Sequence, residues 1–116
     1  NLPVAFHSDG DIRVIYRALA AAGFSAIHVA VGQRGSMDAA FRAVRTSGLV
    51  PIGGIEAQRL LADGARQAGS QARLLAAGGP AVVSDDGGLS TTEDVRALGV
   101  ALAAFRADTE PEPSRG

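Results

Sequence analysis

Short apolar runs alternate along the chain with longer stretches in which apolar residues recur every three or four positions. The runs cover residues 2–6, 26–31, 49–52 and 81–84. Each is nearly continuous in apolar character and is followed by polar or glycine-rich residues, which is typical of a buried parallel strand that ends in a loop. Strands that alternate with helices predict a parallel sheet whose right-handed crossovers carry the helices on its face.

The stretches between and after these runs have the periodicity of helices with one buried face. The predicted buried positions are Ile12, Ile15, Tyr16 and Leu19, then Met37, Phe41 and Val44, then Leu60 and Leu61, and finally Val95, Leu98, Leu102 and Phe105. Residues 65–77 form a further helical stretch. The predicted helix caps are Asp9 or Asp11, Ser36, and Ser90 paired with Glu93.

Composition limits the class of protein. The chain has 116 residues, of which 47% are hydrophobic and 20% charged, as in an ordinary globular domain. Its formal charge of -1 argues against nucleic acid or anionic lipid as a partner, and polar residues interrupt every apolar run before it reaches membrane-spanning length. The absence of cysteine excludes thiol nucleophiles and thiolate metal sites. We expect a soluble, cytoplasmic protein.

Polar side chains collect where the predicted strands end. They are His7, Asp9, Gln33, Arg34, Glu56, Asp85 and Asp86. Because ligands of parallel α/β folds bind at the carboxyl ends of the strands, this edge predicts a site for a small-molecule substrate. We assign substrate binding to Gln33, Arg34, Glu56 and Asp85, although the last lies in a Gly-rich run that is equally typical of a plain turn.

A metal site is a second interpretation of the same edge. His7 and Asp9 stand two positions apart at a strand end, so both can point the same way and, with Asp86, offer nitrogen and oxygen ligands to a divalent metal. No other cofactor is assigned. The alternative is that Asp9 caps the next helix while His7 makes one local hydrogen bond. His28, inside a strand, and Tyr16, inside a helix stripe, are interpreted as packing residues.

Four segments occur in an order that matches a known family. They are Phe6-His7-Ser8-Asp9-Gly10-Asp11, Ala22-Gly23-Phe24, Pro51-Ile52-Gly53-Gly54-Ile55-Glu56, and Gly78-Gly79 before the last strand. In this order the chain resembles the uroporphyrinogen decarboxylase family over residues 2–106. The resemblance implies the carboxyl-terminal half of a (β/α)₈ TIM-type barrel. It also implies an enzyme of porphyrin metabolism, either a lyase or a corrinoid-linked methyltransferase.

The chain departs from the family at two loops. Ser84-Asp85-Asp86-Gly87-Gly88 stands where the decarboxylases have Asn-Leu-Gly-His-Gly, so the histidine of that loop is missing. His7 matches the first-loop histidine of the methyltransferases, but Asp9 stands at the position of their cysteine. This departure excludes zinc held by thiolates and leaves a harder, oxygen-rich metal site open.

The sequence leaves two architectures open. One is a half barrel spanning residues 1–107 that is a fragment of a larger barrel, followed by an acidic, Pro-containing disordered tail at 108–116. Its open faces and edges predict either the missing half or a homo-oligomer as partner. The other is a small open doubly wound, flavodoxin-like sheet acting as a non-catalytic, corrinoid-like binding module.

Overall fold

The protein contains one parallel sheet whose strands follow the order of the sequence. The structure, a computed structural model, describes residues 2–8, 12–29, 36–61 and 64–109. Its strands are β1 (Ala5–His7), β2 (Ala26–His28), β3 (Val50–Ile55) and β4 (Val82–Asp85). They lie side by side in the order β1-β2-β3-β4, and every pair is parallel. The predicted α/β class with a parallel sheet is confirmed, and the described strands contain no reversal of order of the kind that defines a doubly wound sheet.

Helices connect the strands as the periodicity predicts. A short 3₁₀ turn (Arg13–Ile15) leads into α1 (Tyr16–Ala21), and α2 (Met37–Thr46) follows β2. The helices α3 (Ala57–Leu61) and α4 (Ala65–Ala76) link β3 to β4, and α5 (Thr92–Thr109) follows β4. Across the described ranges, each helix is too short or too polar to cross a lipid bilayer.

The helix caps agree with the prediction at α2 and differ from it at α5. Ser36 Oγ accepts a hydrogen bond from the backbone N–H of Ala39 at 3.1 Å, as predicted. At α5 the predicted pair of Ser90 and Glu93 is wrong by one residue. The cap is Thr91, whose Oγ1 accepts from the Asp94 N–H at 3.1 Å, while the Asp94 carboxylate accepts from the Thr91 N–H at 3.1 Å. The sequence contains two overlapping capping patterns, Ser90 with Glu93 and Thr91 with Asp94. They differ only in the residue at which the helix would begin.

The helices pack on one face of the sheet. Phe6, Ile27 and Pro51 stand side by side in β1, β2 and β3, and Ile27 and Pro51 are fully buried. Phe41 of α2 packs in the same cluster as Ile27, and a second cluster centred on Ile55 fills the space under α4 and α5. Right-handed crossovers between neighbouring strands place consecutive helices on the same side, which explains why both clusters lie there.

The opposite face of the sheet carries no described helix. Its central row, in register across the four strands, is His7, His28, Ile52 and Val82. His7 is exposed, His28 and Ile52 are half-buried, and Val82 is 52% exposed. We call this row and its neighbours the open face.

Three further predictions about the elements are wrong. The third strand does not stop at Gly53 and Gly54 but runs through both to Ile55. These glycines have φ of +137° and +98°, so a strand can pass through them only because they lack a Cβ. Val95, predicted on the buried face of α5, is 61% exposed, while Leu98 on the same helix packs against the second cluster. The helix also extends to Thr109, two residues into the predicted tail, whose residues 110–116 lie outside the described part.

Candidate functional site

Two histidine rings touch on the open face of the sheet. His7 ends β1 and stands in register with His28, which ends β2. Their Nδ1 atoms are 2.9 Å apart, a hydrogen-bond distance, and their ring centroids are 4.9 Å apart with a tilt of 35°. Parallel pairing in this register brings the rings together, because side chains at the same level of neighbouring strands share a face.

The inner ring also reaches the fourth strand. His28 Nε2 lies 2.9 Å from the backbone carbonyl oxygen of Asp85, at the end of β4. The strand between them, β3, has Gly53 and Gly54 just beyond the level of His28. A carbonyl oxygen only accepts hydrogen bonds, so His28 Nε2 must carry the hydrogen. A continuous polar array therefore runs from β1 over β3 to β4 at the carboxyl ends of the strands.

The Asp86 carboxylate is hydrogen-bonded to the first residue of α3. Asp86 is buried, and its Oδ1 accepts a hydrogen bond from the backbone N–H of Ala57 at 2.8 Å. Its own N–H donates to the carbonyl of Ile55 at 3.1 Å. Burial raises the pKa of Asp86, and the nearby carboxylates of Glu56 and Asp85 raise it further, against the lowering effect of the Ala57 hydrogen bond.

The other two predicted acids are held by local partners. Asp85 Oδ2 accepts from the N–H of Gly87 at 3.0 Å, and Ser84 Oγ donates to its Oδ1 at 3.3 Å, which is the geometry of an Asp-initiated turn. Glu56 pairs with Arg59, one turn later, at 2.7 Å. The turn interpretation of the Gly-rich run thus accounts for the side chain of Asp85, while its backbone carbonyl joins the histidine array.

The remaining predictions can be placed only in part. Asp9, Gln33 and Arg34 lie outside the described residues. Within the described part of the chain, no three or more His, Cys, Asp or Glu side chains are grouped so that they could hold a metal ion. Because the predicted metal set of His7, Asp9 and Asp86 includes one residue outside that part, it stays a prediction.

The packing interpretation is confirmed for Tyr16, while His28 also makes polar contacts within the sheet. Tyr16 is 2% exposed within the first cluster. His28 contacts His7 of β1 and the Asp85 carbonyl of β4 through its two ring nitrogens. Alternation along the strand could have indicated this, because the apolar neighbours Ile27 and Val29 must face the helices and therefore turn His28 to the other side.

The fold and the site together define an α/β protein with an imidazole array on the open face of a four-stranded parallel sheet. No protein-family model, curated protein or solved structure matches the chain. The function therefore has to be inferred from the residues of this array.

Proposed function

We propose that the chain is one half of a (β/α)₈-type barrel of the uroporphyrinogen decarboxylase kind. Its chemistry, of lyase or corrinoid-linked methyltransferase type, would act on a carboxylated small molecule at the carboxyl ends of the strands. The observation that carries the proposal is the array of His7, His28 and the Asp85 carbonyl, which lies at those ends. Active sites of this architecture lie at the same end of the strands.

The sheet topology supports the barrel half of the proposal. In such a barrel the strands follow the chain order, the helices form the outer ring, and the other face of the sheet lines the interior. Here the order is β1-β2-β3-β4 and the described helices share one face. The open face would then line the barrel, with the missing half or a second copy supplying the opposite wall.

The chemistry of imidazole supports the site. A neutral imidazole nitrogen accepts a proton or binds a metal, and a protonated one donates to a carboxylate. His7 therefore suits either a carboxylated substrate or a divalent metal. In this proposal Gln33, Arg34, Glu56 and Asp85 contact substrate, and Asp9 and Asp86 join His7 if a metal is bound.

A non-catalytic small-molecule binding module is the second candidate. It is favoured because two of the predicted acids already bind neighbouring groups. The Asp85 carboxylate accepts a hydrogen bond from the Gly87 N–H, and Glu56 pairs with Arg59. Carboxylates held in this way are less suited to acid–base work than to shaping a binding surface.

The test is to replace His7 by Ala in the full chain and to titrate a carboxylated porphyrin and Mn²⁺ or Zn²⁺ by calorimetry. We expect the variant to lose at least tenfold in affinity, about 1.4 kcal/mol, with an unchanged melting temperature because the side chain is exposed. Val82→Ala, on the same open face, is the matched control and should bind as the wild type does. A His7→Ala chain that melts several degrees lower and binds every ligand unchanged would overturn the site.

The two candidates differ in a second measurement. With the other barrel half supplied, loss of CO₂ from the bound porphyrin or transfer of a methyl group supports the enzyme. Ligand binding without either reaction supports the binding module.

A further inference from the structure

A groove with a volume of about 440 Å³ runs between α1 and α2. It lies in the helix layer, on the other side of the sheet from the open face. Three arginines line it: Arg13 and Arg17 on the side of α1, and Arg42 on the side of α2. None of the described residues that line the groove is acidic. We call it the α1–α2 groove.

Two of these arginines can bind a further carboxylate. Arg17 is exposed and forms no ion pair with any residue in the described ranges. Arg42 pairs with Asp38 at 2.7 Å, but the two side chains are 74% and 61% exposed. An ion pair so open to water contributes little to stability, and a guanidinium has five N–H donors. Arg42 can therefore bind a second carboxylate or exchange Asp38 for a better placed one.

The groove also offers apolar contact area. Val14, on its α1 side, is 92% exposed, and the small side chains of Ala39 and Ala43 line its α2 side. Arginine beside exposed apolar side chains is a composition typical of protein–protein interfaces.

The lining distinguishes between the classes of anionic partner. Binding of single-stranded nucleic acid needs exposed aromatic rings for base stacking, and the one aromatic residue that lines the described groove, Tyr16, is 2% exposed. A membrane surface needs a broad apolar face, whereas Val14 is the one large aliphatic side chain of the described lining. The groove is open along one side, whereas small-molecule sites enclose most of their ligand. An acidic peptide remains.

We propose that the α1–α2 groove binds an acidic helical segment of a partner protein, whose carboxylates pair with Arg17 and Arg42 and whose apolar side chains contact Val14. Guanidinium and carboxylate groups form strong paired hydrogen bonds. The polar residues of each side repeat at one helical turn, Arg13 with Arg17 and Arg42 with Thr46, which matches a helix that has carboxylates at positions i and i+4.

This interaction goes beyond the proposed function and does not depend on it. The histidine array lies on the open face, so a partner in the α1–α2 groove leaves the array uncovered.

The test is a fluorescence anisotropy titration of the full chain into a labelled helical peptide of about 18 residues, or five turns. The peptide carries Glu at i and i+4 beside a stripe of Leu. We expect saturable binding that weakens as salt is added, because salt screens exposed charges. Arg17→Glu and Arg42→Glu should each weaken binding at least about tenfold. Asp38→Asn should strengthen it, because Asp38 competes with the peptide for Arg42.

Two controls isolate the charge of this groove. Arg66→Glu changes an exposed arginine that is the one charged residue among the described lining of a second groove, between α4 and α5, and it should bind the peptide as wild type does. A peptide with Gln in place of every Glu should not bind. Circular dichroism checks that each variant keeps its helices.

Three outcomes would overturn the proposal. The first is an acidic peptide that fails to bind wild type at about 1 mM, the weakest affinity that counts as binding here. The second is an equal loss of affinity in Arg66→Glu and Arg17→Glu. The third is binding of single-stranded RNA or phosphatidylserine vesicles, abolished by Arg17→Glu, in place of peptide binding. If a charge reversal prevents folding, wild type and Asp38→Asn with the two peptides still decide, since a purely structural role for Asp38 would not make its loss strengthen binding.

Discussion

Asp86, the residue that follows β4, accepts a hydrogen bond from the backbone N–H of Ala57, the first residue of α3, at 2.8 Å. A helix start is usually capped by the residue just before it. Here the cap comes from the loop after a different strand, and the Asp86 N–H donates a hydrogen bond to the carbonyl of Ile55. The pair of bonds joins the two loops at the carboxyl ends of β3 and β4.

This relationship predicts different effects for two substitutions of Asp86. Asp86→Ala leaves the buried N–H of Ala57 without its acceptor and should lower the free energy of unfolding by about 1–3 kcal/mol. Asp86→Asn keeps an acceptor oxygen and removes a buried charge, so it should lower stability much less than Ala does, or raise it. Urea unfolding of both variants at neutral pH measures the difference. Equal losses in the two variants would show that the hydrogen bond contributes little.

The pH dependence of stability should have opposite signs at Asp86 and Asp94. Burial raises the pKa of Asp86, so the stability contributed by its protonated form is full below the ordinary value of 3.8 and is lost as pH rises through the raised pKa. The hydrogen bond from the Ser90 N–H lowers the pKa of Asp94 most strongly. Its stabilising effect is therefore full above 3.8 and is lost as pH falls through the lowered pKa.

Unfolding curves of Asp86→Asn and Asp94→Asn against wild type between pH 2 and 7 test these signs. As pH falls toward about 4, wild type should gain stability relative to Asp86→Asn. Below about 4, the loss caused by Asp94→Asn should shrink. If the stability differences of the two variants from wild type changed in the same direction with pH, the assigned directions of the two pKa shifts would be wrong.

Two helical glycines should respond oppositely to alanine. A Cβ on Gly69 of α4 would stand 2.9 Å from the carbonyl carbon of Ala101 and 3.0 Å from Ala104 Cβ, so α4 and α5 would have to separate. Gly99 of α5 has nothing within 4 Å of such a Cβ. We expect Gly99→Ala to raise the free energy of unfolding by about 0.5–1 kcal/mol, through helix propensity. Gly69→Ala should lower it by about 1–3 kcal/mol, through overpacking. Thermal unfolding decides, and a stabilised Gly69→Ala would show that the two helices are not in close contact.

The sequence predicts the fold better than it predicts the site. Apolar periodicity identified all four strands and the Ser36 cap, because burial and capping leave local patterns. The pattern predicted the end of β3 too early, because glycine usually marks the end of a strand. The close packing around Gly54 is not visible in the sequence. The site depends on register, which is a relation between distant segments. The pairing of the strands places His7 beside His28 and the Asp86 carboxylate beside the N–H of Ala57. No local sequence pattern indicates either contact.

The last prediction concerns association through the open face. That face carries Val82, 52% exposed, beside half-buried Ile52, and the described edges of the sheet at β1 and β4 have one strand neighbour each. If the chain is half of a barrel, apolar side chains and strand edges would otherwise meet water, and a second copy can cover them. Sedimentation at micromolar concentration should therefore give a dimer or larger species.

Paired substitutions make the test of association specific to that face. Val82→Glu places a charge on the open face and should shift the chain toward monomer. Val14→Glu is the matched control, because Val14 is 92% exposed in the 3₁₀ turn before α1, and it should leave the association unchanged. A wild-type chain that stays monomeric up to high concentration, or an equal effect of both substitutions, would contradict pairing through the open face. Dissociation by Val82→Glu alone would place the partner over the histidine array, on the side of the sheet where the other half of a barrel would lie.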